Sequence, residues 1–411
     1  MRAAVVGGGL AGLAAALDLV DAGATVTLLE ARPTLGGAVQ TLPQREGDPE
    51  PPPDNGQHIA LGCFTEYLRF LDRIGESGSY LRTRLALPVI AEDGSVSAIK
   101  PSLPALLGYG HVPFRDRLRI PVVTARCRGA QARDGETFGA LLRRIGASDA
   151  TVDRFWDVFI RPALNLRTDE VDAEAGLFTV RTALLGPRGN ADLVLPMRPL
   201  GRMHGDAAGA ALRAAGATVV LDEKVASLDD VDAEGVVVAV PPRESARLLG
   251  EPAPQLEDSP IVSVHLWFDR PLLKVPLAAL LATDAHWVFD RGALTSHRPK
   301  AGGQYLTVVS SGAPELLEIR GRELVERIAG QLTERLGRAE LLWSRVSREP
   351  YATVALRPGV ERPGVVTALP GVARAGTWTD TGWPATMESA VRSGRAAAQH
   401  LLSSSRAKVG A

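Results

Sequence analysis

Apolar runs and glycines alternate at the start of the chain in an order that predicts strand, turn, helix and strand. Residues 3–6 (AAVV) are apolar at every position, as in a parallel strand that is buried on both faces. A helix rich in alanine and leucine is predicted over 10–20, and residues 26–29 (VTLL) give a second buried strand. This pattern indicates a Rossmann-like nucleotide-binding unit.

The turn of this unit carries the sequence G-x-G-x-x-G, in which each glycine has a physical role. Gly7 permits the tight turn, Gly9 lets a pyrophosphate approach the backbone, and Gly12 lets the helix pack against the strand. The free N–H groups at the helix start, at Leu10 and Ala11, favour phosphate.

The spacing of apolar residues changes from one later segment of the chain to the next. Between about 61 and 200 the apolar spacing is mostly helical, and 216–242 contains two short apolar strands. From Ser259 onward, apolar and polar residues alternate as in an antiparallel sheet. The alternating segments are 259–269, 286–290 and 304–311, followed by an amphipathic helix over 314–337. We therefore expect an α/β fold in which an α+β substrate domain is inserted into the nucleotide-binding domain.

Composition and charge exclude several classes of function. The chain has 411 residues and a net charge of −1, so it has no overall positive electrostatic potential that would attract nucleic acid. Its two cysteines, Cys63 and Cys127, lie in no metal-binding pattern and fit a reducing compartment. Three glycines and Asp18 interrupt the N-terminal apolar run, which argues against a signal peptide, and no stretch has the length of a membrane span. We expect a cytoplasmic enzyme without a metal, with a membrane surface as a further option.

The residues after the second strand indicate which dinucleotide binds. Glu30 ends that strand, where a carboxylate accepts hydrogen bonds from ribose hydroxyls. The pair Gly36–Gly37 follows, giving an E-x-R-x-x-x-G-G segment. This layout resembles the flavin-binding amine oxidase and phytoene desaturase superfamily, in which the segment continues an FAD site. Family members usually carry arginine at the next position, where this chain has Ala38.

The C-terminal segment 376–402 (GTWTDTGWPATMESAVRSG…) is the second informative stretch. Pro384 is expected to open a helix, whose N-terminus would favour negative charge on a reduced flavin. A plain surface helix with proline in its first turn is the alternative. The small residues that follow permit close packing of this helix.

Together these segments resemble the hydroxysqualene dehydroxylase family, also called squalene-associated FAD-dependent desaturases. The resemblance runs from the N-terminus to about Leu402 and rests most strongly on DNGQHIALG at 54–62 and on WTDTG-x-PAT-x-ESAVRSG at 378–394. The family usually has aspartate where this chain has Thr377. The family's activity implies that the hydroxyl of hydroxysqualene is lost reductively, giving squalene.

The resemblance also implies the division of the chain and its cofactor contacts. The FAD-binding domain comprises 1–60, 200–258 and 345–402, the substrate domain comprises 61–199 and 259–344, and 403–411 is a disordered tail. FAD is expected to bind non-covalently. The expected FAD contacts are Gly7, Gly9, Leu10, Ala11, Gly12, Glu30, Ala31, Arg32, Gly36, Gly37, Ala38, Gln57, His58, Val225, Gly376, Thr377, Pro384, Ala385, Thr386 and Met387.

The reaction requires a proton donor for the departing oxygen as well as a hydride. Asp380 is the first candidate, because its loop precedes the flavin-facing helix and an apolar pocket would raise its pKa. His58 and Asp54 follow, although D-N-G is also a good turn sequence and the whole segment could be structural. Glu388 is expected to be structural. The same holds for His111, His265 and His286.

Other functions remain open on the sequence alone. A carotenoid desaturase would use the same fold for an oxidation, an amine oxidase would act on a different substrate, and a scaffold protein would contact the enzymes that make the precursor of squalene. The segment 103–128 combines apolar residues with arginine, which suits a membrane surface. Its arginines are Arg115, Arg117, Arg119, Arg126 and Arg128.

Overall fold

The computed structural model describes residues 1–295 and 302–409. Its strands, in chain order, are β1 (Arg2–Val6), β2 (Thr25–Leu29), β3 (Ala60–Leu61), β4 (Tyr80–Thr83), β5 (Leu87–Ile90), β6 (Val96–Ile99), β7 (Leu193–Pro196), β8 (Thr218–Val220), β9 (Gly235–Val238), β10 (Asp258–Phe268), β11 (Leu277–Leu280), β12 (Trp287–Asp290), β13 (Gln304–Ser311), β14 (Leu341–Val354) and β15 (Val372–Arg374).

The α-helices are α1 (Leu10–Asp21), α2 (Thr65–Arg73), α3 (Leu103–Leu107), α4 (Phe114–Cys127), α5 (Phe138–Arg144), α6 (Asp149–Thr151), α7 (Asp157–Leu164), α8 (Ala173–Thr179), α9 (Ala207–Ala214), α10 (Pro242–Leu249), α11 (Arg291–Thr295), α12 (Gly321–Leu336) and α13 (Met387–Val409). Three π-helical turns, Val152–Trp156, Val180–Leu184 and Arg202–Asp206, lead into or extend α7, α8 and α9.

The nucleotide-binding part is a five-stranded parallel sheet in the order β15-β9-β1-β2-β8. Its strands come from all three segments predicted for the FAD-binding domain. Helices α1 and α13 pack together on one face, where a Cβ atom on Gly394 would lie 2.0 Å from the carbonyl oxygen of Ala11. The small residues of α13 are therefore explained by this close contact.

The second part is a seven-stranded mixed sheet in the order β14-β10-β13-β12-β11-β5-β6. Helix α12 covers one face, against the apolar side chains of Val264 and Leu306. The other face joins the largest core cluster, which Trp287 and Phe289 share with the helices α4, α5, α7 and α8. A third, small sheet has the strand order β3-β7-β4.

The predicted Rossmann-like α/β fold is confirmed, and the segment 61–200 is mostly helical as expected, whereas the C-terminal tail differs from the prediction. The segment 61–200 also contains strands β4 to β7, whose short, partly exposed sequences give little alternation. Strand β14 continues across the proposed boundary at 345, because it pairs with β10 along its length. Helix α13 continues to Val409, so residues 403–409 do not form a disordered tail; 410–411 lie outside the described residues.

Candidate cofactor and active site

The glycine loop after β1 is closed so tightly that side chains have no room. Gly7 has a φ of +107°, and a Cβ atom there would lie 2.3 Å from the carbonyl oxygen of Ala239. A Cβ atom on Gly12 would lie 1.9 Å from the carbonyl oxygen of Gly7. Gly9 caps α1, and no side chain caps its first turn. The backbone N–H groups at Leu10 and Ala11 therefore suit an anionic ligand.

The second glycine pair lies directly on this loop. The amide of Gly36 donates to the carbonyl oxygen of Gly8 at 2.8 Å. A Cβ atom on Gly37 would lie 2.8 Å from the Cα atom of Gly9. The two glycine pairs thus form a cradle in which backbone approaches backbone closely, which fits the pyrophosphate of FAD. Ala38 adds no charge to it; the side chain is exposed and its carbonyl accepts from Asn55 Nδ2 at 2.7 Å.

Glu30 lies at the edge of the same cradle, with only 9% of its surface exposed. One carboxylate oxygen accepts from the amide of Gly8 at 2.6 Å and the other from the amide of Arg32 at 2.8 Å. Each oxygen keeps a further lone pair for a ribose hydroxyl. The amide of Glu223 donates a hydrogen bond to the carbonyl oxygen of Glu30 at 2.9 Å, which holds the loop that carries buried Val225 beside Glu30. Ala31 and Arg32 are exposed beside it.

The segment DNGQH begins with a buried ion pair that the sequence did not reveal. Asp54 Oδ2 lies 2.5 Å from Arg291 Nη2, and each side chain is 2% exposed. Asp54 Oδ1 also accepts from Thr41 Oγ1 at 2.6 Å and from the amide of Leu200 at 2.9 Å. Burial raises the pKa of Asp54, and the charge of Arg291 opposes that shift. With both oxygens occupied, Asp54 has a structural role.

Gln57 and His58 follow this ion pair along the chain. Gln57 Oε1 accepts from Arg291 Nη1 at 3.2 Å, whereas its buried Nε2 has no partner among the described residues. His58 is partly buried, and burial lowers its pKa to about 4. A Cβ atom on Gly56 would meet Ser263 Oγ at 3.1 Å and His58 Nε2 at 3.9 Å. Apart from the two chain neighbours of Gly56, no other described atom lies within 4 Å of that position.

The C-terminal loop differs from the expectation in where its helix begins. Helix α13 begins at Met387, so Pro384 is buried before the helix instead of opening it. Ala385, Thr386 and Met387 are partly buried, and Thr386 Oγ1 accepts from the amide of Ser389 at 3.5 Å, as a residue before a helix does. The flanking residues Gly376 and Thr377 are also partly buried, and the amide of Gly376 donates to Ser393 Oγ at 3.0 Å.

Glu388 is structural, as predicted. It is fully buried and accepts hydrogen bonds from the amides of Glu66 at 3.2 Å and Tyr67 at 2.8 Å. These amides belong to the first turn of α2, so Glu388 caps that helix from α13. Arg392 pairs with the same carboxylate at 2.7 Å.

Asp380 does not lie in an apolar pocket. Its side chain is 61% exposed, lies 3.5 Å from Arg362, and accepts from the amide of Gly382 at 3.0 Å. The D-T-G sequence forms an exposed turn, and its carboxylate faces solvent instead of the buried residues around Gly56. The physical basis for choosing Asp380 as proton donor, an apolar environment, is therefore absent.

Of the three histidines expected to be structural, two have a ring nitrogen in a structural contact. His111 Nε2 lies 2.8 Å from the carbonyl oxygen of Val89, and His286 Nδ1 accepts from the amide of Ser311 at 3.2 Å. His265 differs, because Nδ1 lies 3.1 Å from Thr307 Oγ1 while its buried Nε2 has no partner among the described residues. Within 1–295 and 302–409, no cluster of three metal-binding side chains occurs.

Comparisons with known proteins agree with this geometry. Residues 196–402 match the family of flavin containing amine oxidoreductases, and residues 5–74 match an NAD(P)-binding Rossmann-like domain. Hydroxysqualene dehydroxylase of Sinorhizobium fredii is 30% identical over 97% of this chain and 98% of its own length. The enzyme of the same name from Rhodopseudomonas palustris is 28% identical over 98% and 99%, respectively.

More distant proteins share the fold. The 15-cis-phytoene desaturase of Solanum lycopersicum is 24% identical over 97% of this chain and 77% of its own length. An oxidoreductase from Methanosarcina mazei has a TM-score of 0.74 at 18% identity, covering 97% of this chain and 100% of that one. Cyclohexylamine oxidase from Brevibacterium oxydans has a TM-score of 0.71 at 17% identity, covering 98% and 99%. The chain belongs to the flavin containing amine oxidoreductases and, within them, to the hydroxysqualene dehydroxylases.

Proposed function

We propose that this chain is an FAD-dependent enzyme that removes the hydroxyl group of hydroxysqualene reductively and releases squalene. The observation that carries the proposal is the similarity over 97% of the chain to a hydroxysqualene dehydroxylase, in a protein whose glycine cradle fits FAD. The reaction breaks the allylic C–O bond, forms a C–H bond and releases water. Bound reduced FAD supplies the hydride, and a proton must reach the departing oxygen.

Cofactor binding is assigned to the backbone cradle and to Glu30, which is placed for the adenosine ribose. The cofactor is proposed to be held non-covalently, because neither Cys63 nor Cys127 lies in the C-terminal segment 376–402. Precipitating the protein with acid tests this assignment: the yellow flavin is expected in the supernatant, and flavin retained by the washed pellet would contradict it.

Among the three candidate proton donors, the geometry favours His58. Its Nε2 lies beside the bare Cα of Gly56, whereas Asp380 is exposed and Asp54 is held by Arg291 and two further donors. A group that protonates the substrate must reach its oxygen, and of the three candidates only His58 is partly buried and not held in an ion pair. The role of the imidazole is to deliver the proton with which the hydroxyl leaves as water.

The access route is proposed to open toward an anionic membrane surface through α3 and α4. Four large apolar side chains are exposed there, between 47% and 65%: Leu103, Phe114, Leu118 and Val122. Arg115, Arg119 and Arg126 are exposed beside them, whereas Arg117 donates to the carbonyl oxygen of Val112 at 3.0 Å. Apolar residues rimmed by arginine suit the headgroup region of a bilayer. Across the described residues, no helix has the length and hydropathy to cross a membrane.

The proposed reaction is tested by anaerobic incubation of the reduced holoenzyme with hydroxysqualene, followed by mass spectrometry of the products. Squalene in an amount equal to the reduced flavin consumed is the expected result. A carotenoid desaturase would leave hydroxysqualene unchanged and, in its oxidised form, would desaturate phytoene. Purified protein without flavin absorbance would instead favour a scaffold that contacts the enzymes upstream of squalene.

A further inference from the structure

One face of the seven-stranded sheet carries polar side chains in its interior. Strand β10 places Ser263 and His265 on this face. The neighbouring strand β13 places Thr307 opposite His265 and Tyr305 opposite Trp267. The alternate residues of β10, such as Val264, point to the apolar core under α12. Since side chains alternate along a strand, the polar residues share one side of the sheet.

Three of these side chains are buried, and each has one polar atom without a hydrogen-bond partner among the described residues. Ser263, His265 and Tyr305 are 0%, 1% and 2% exposed. Within the described residues, Ser263 Oγ, His265 Nε2 and the hydroxyl of Tyr305 find no donor or acceptor. An unsatisfied buried polar group costs about 1–3 kcal/mol, so three on one face are unusual unless something binds there.

The segment DNGQH lies against this face at Gly56. The bare Cα of Gly56 faces Ser263 Oγ, and His58 Nε2 borders the same side. The rings of His265 and Tyr305 have centroids 6.4 Å apart, so the two polar atoms belong to one neighbourhood. The segment therefore brings the candidate proton donor to the unsatisfied side chains.

Apolar side chains continue the same face toward β12. Val309 lies opposite Ser263 on one side and opposite Trp287 on the other, and Phe289 lies opposite Thr307. Trp287, Phe289 and Val309 are all buried. The polar side chains therefore border apolar ones, the combination that suits a hydrocarbon with one hydroxyl group.

We propose that Ser263, His265 and Tyr305 form the subsite that binds the departing hydroxyl group of the substrate, an inference that rests on the proposed function. The hydroxyl of Tyr305 donates to the substrate oxygen, and the substrate O–H is shared with Ser263 Oγ or His265 Nε2. Because Nδ1 of His265 is engaged by Thr307, Nε2 offers one hydrogen bond toward the subsite in either tautomer. The subsite holds the oxygen beside His58, from which the proton is delivered.

The test compares two ligands that differ by this hydroxyl, hydroxysqualene and squalene. Their affinities for the oxidised holoenzyme are measured in detergent by the change in flavin absorbance. Tyr305→Phe and Ser263→Ala are each expected to weaken hydroxysqualene binding roughly 3- to 10-fold, while squalene binding stays within about 2-fold. Matched controls are Tyr109→Phe, whose hydroxyl donates to a backbone carbonyl, and Ser245→Ala, whose buried Oγ also lacks a described partner. Both controls lie outside this face and should leave the ratio of the two affinities unchanged.

Stability supplies a second readout. Because no described side chain or backbone group bonds the hydroxyls of Tyr305 and Ser263, removing them should leave the urea midpoint unchanged or raise it. A lowered midpoint would overturn the proposal, because the hydroxyls would then have structural partners. An unchanged ratio of affinities in both variants would overturn it as well. If the parent protein does not convert hydroxysqualene at all, the proposed function fails first, which separates the two outcomes.

Discussion

The buried ion pair between Asp54 and Arg291 gives the sharpest prediction about how the active-site segment is held. Arg291→Met should leave the Asp54 carboxylate with only Thr41 and the amide of Leu200 as donors. Removing one partner of a buried pair typically costs about 3–5 kcal/mol, on the order of a thousandfold in the unfolding equilibrium. We expect the free energy of unfolding to fall within this range. Asp54→Asn should lower the free energy of unfolding at least as much, since the Arg291 guanidinium would lose its buried carboxylate partner and retain the hydrogen bond to Gln57.

The assay is urea unfolding followed by tryptophan fluorescence and, separately, by release of FAD. The double variant Asp54→Asn with Arg291→Met should lose much less than the sum of the two singles, because neither charge is left unpaired. Arg2→Met is the matched control: its partner Asp232 is 84% exposed, and the loss should stay below about 1 kcal/mol. Strictly additive losses, or losses as small as that control, would refute the structural role of the pair.

Three further predictions follow from the site and its surroundings. Glu30→Ala should weaken FAD binding by about 1–3 kcal/mol in equilibrium titrations, and unchanged affinity would remove Glu30 from the ribose site. Asp380→Asn should keep the single-turnover rate within a few-fold of the parent, because its carboxylate is exposed; a hundredfold loss would restore it as proton donor. The double variant Phe114→Ser with Leu118→Ser should lose flotation with anionic vesicles at low salt, while Leu342→Ser, an exposed leucine on β14, should retain it. Equal flotation of both variants, or none by the parent, would refute the membrane surface.

The cofactor cradle was predictable from the sequence because its chemistry is local. Gly7 and Gly12 act within one turn, and Glu30 follows at the end of the next strand, so spacing alone indicates their roles. Backbone geometry at such short range depends little on the rest of the fold. The same reasoning predicted the close packing of α13, since small residues at helical spacing permit only a near neighbour.

The residues around Gly56 were not predictable in the same way. Arg291 meets Asp54 across 237 positions, and Ser263 and Tyr305 come from strands far along the chain. No spacing rule connects them, although Ser263 and His265 at alternate positions of an otherwise apolar strand were a usable signal. Asp380 shows the opposite error: its place in a recognised motif suggested the site, but the direction of its turn exposes it.

The last prediction concerns His58 and the pH dependence of the reaction. Burial lowers the pKa of His58 to about 4, so the fraction carrying a proton falls about tenfold for each pH unit above that value. If the imidazolium is the donor, the single-turnover rate per bound FAD should rise as pH is lowered from 8 to 5, and His58→Gln should be slower and nearly independent of pH. The stability of the fold should fall, not rise, as the pH is lowered. The folded state binds this proton less readily than the unfolded state, whose histidine pKa is near 6.5, so stability is full above pH 6.5 and falls as pH drops toward 4. Normalising rates to bound FAD separates the two effects. A rate that is flat with pH in the parent, or equally steep in His58→Gln, would show that the proton comes from another group.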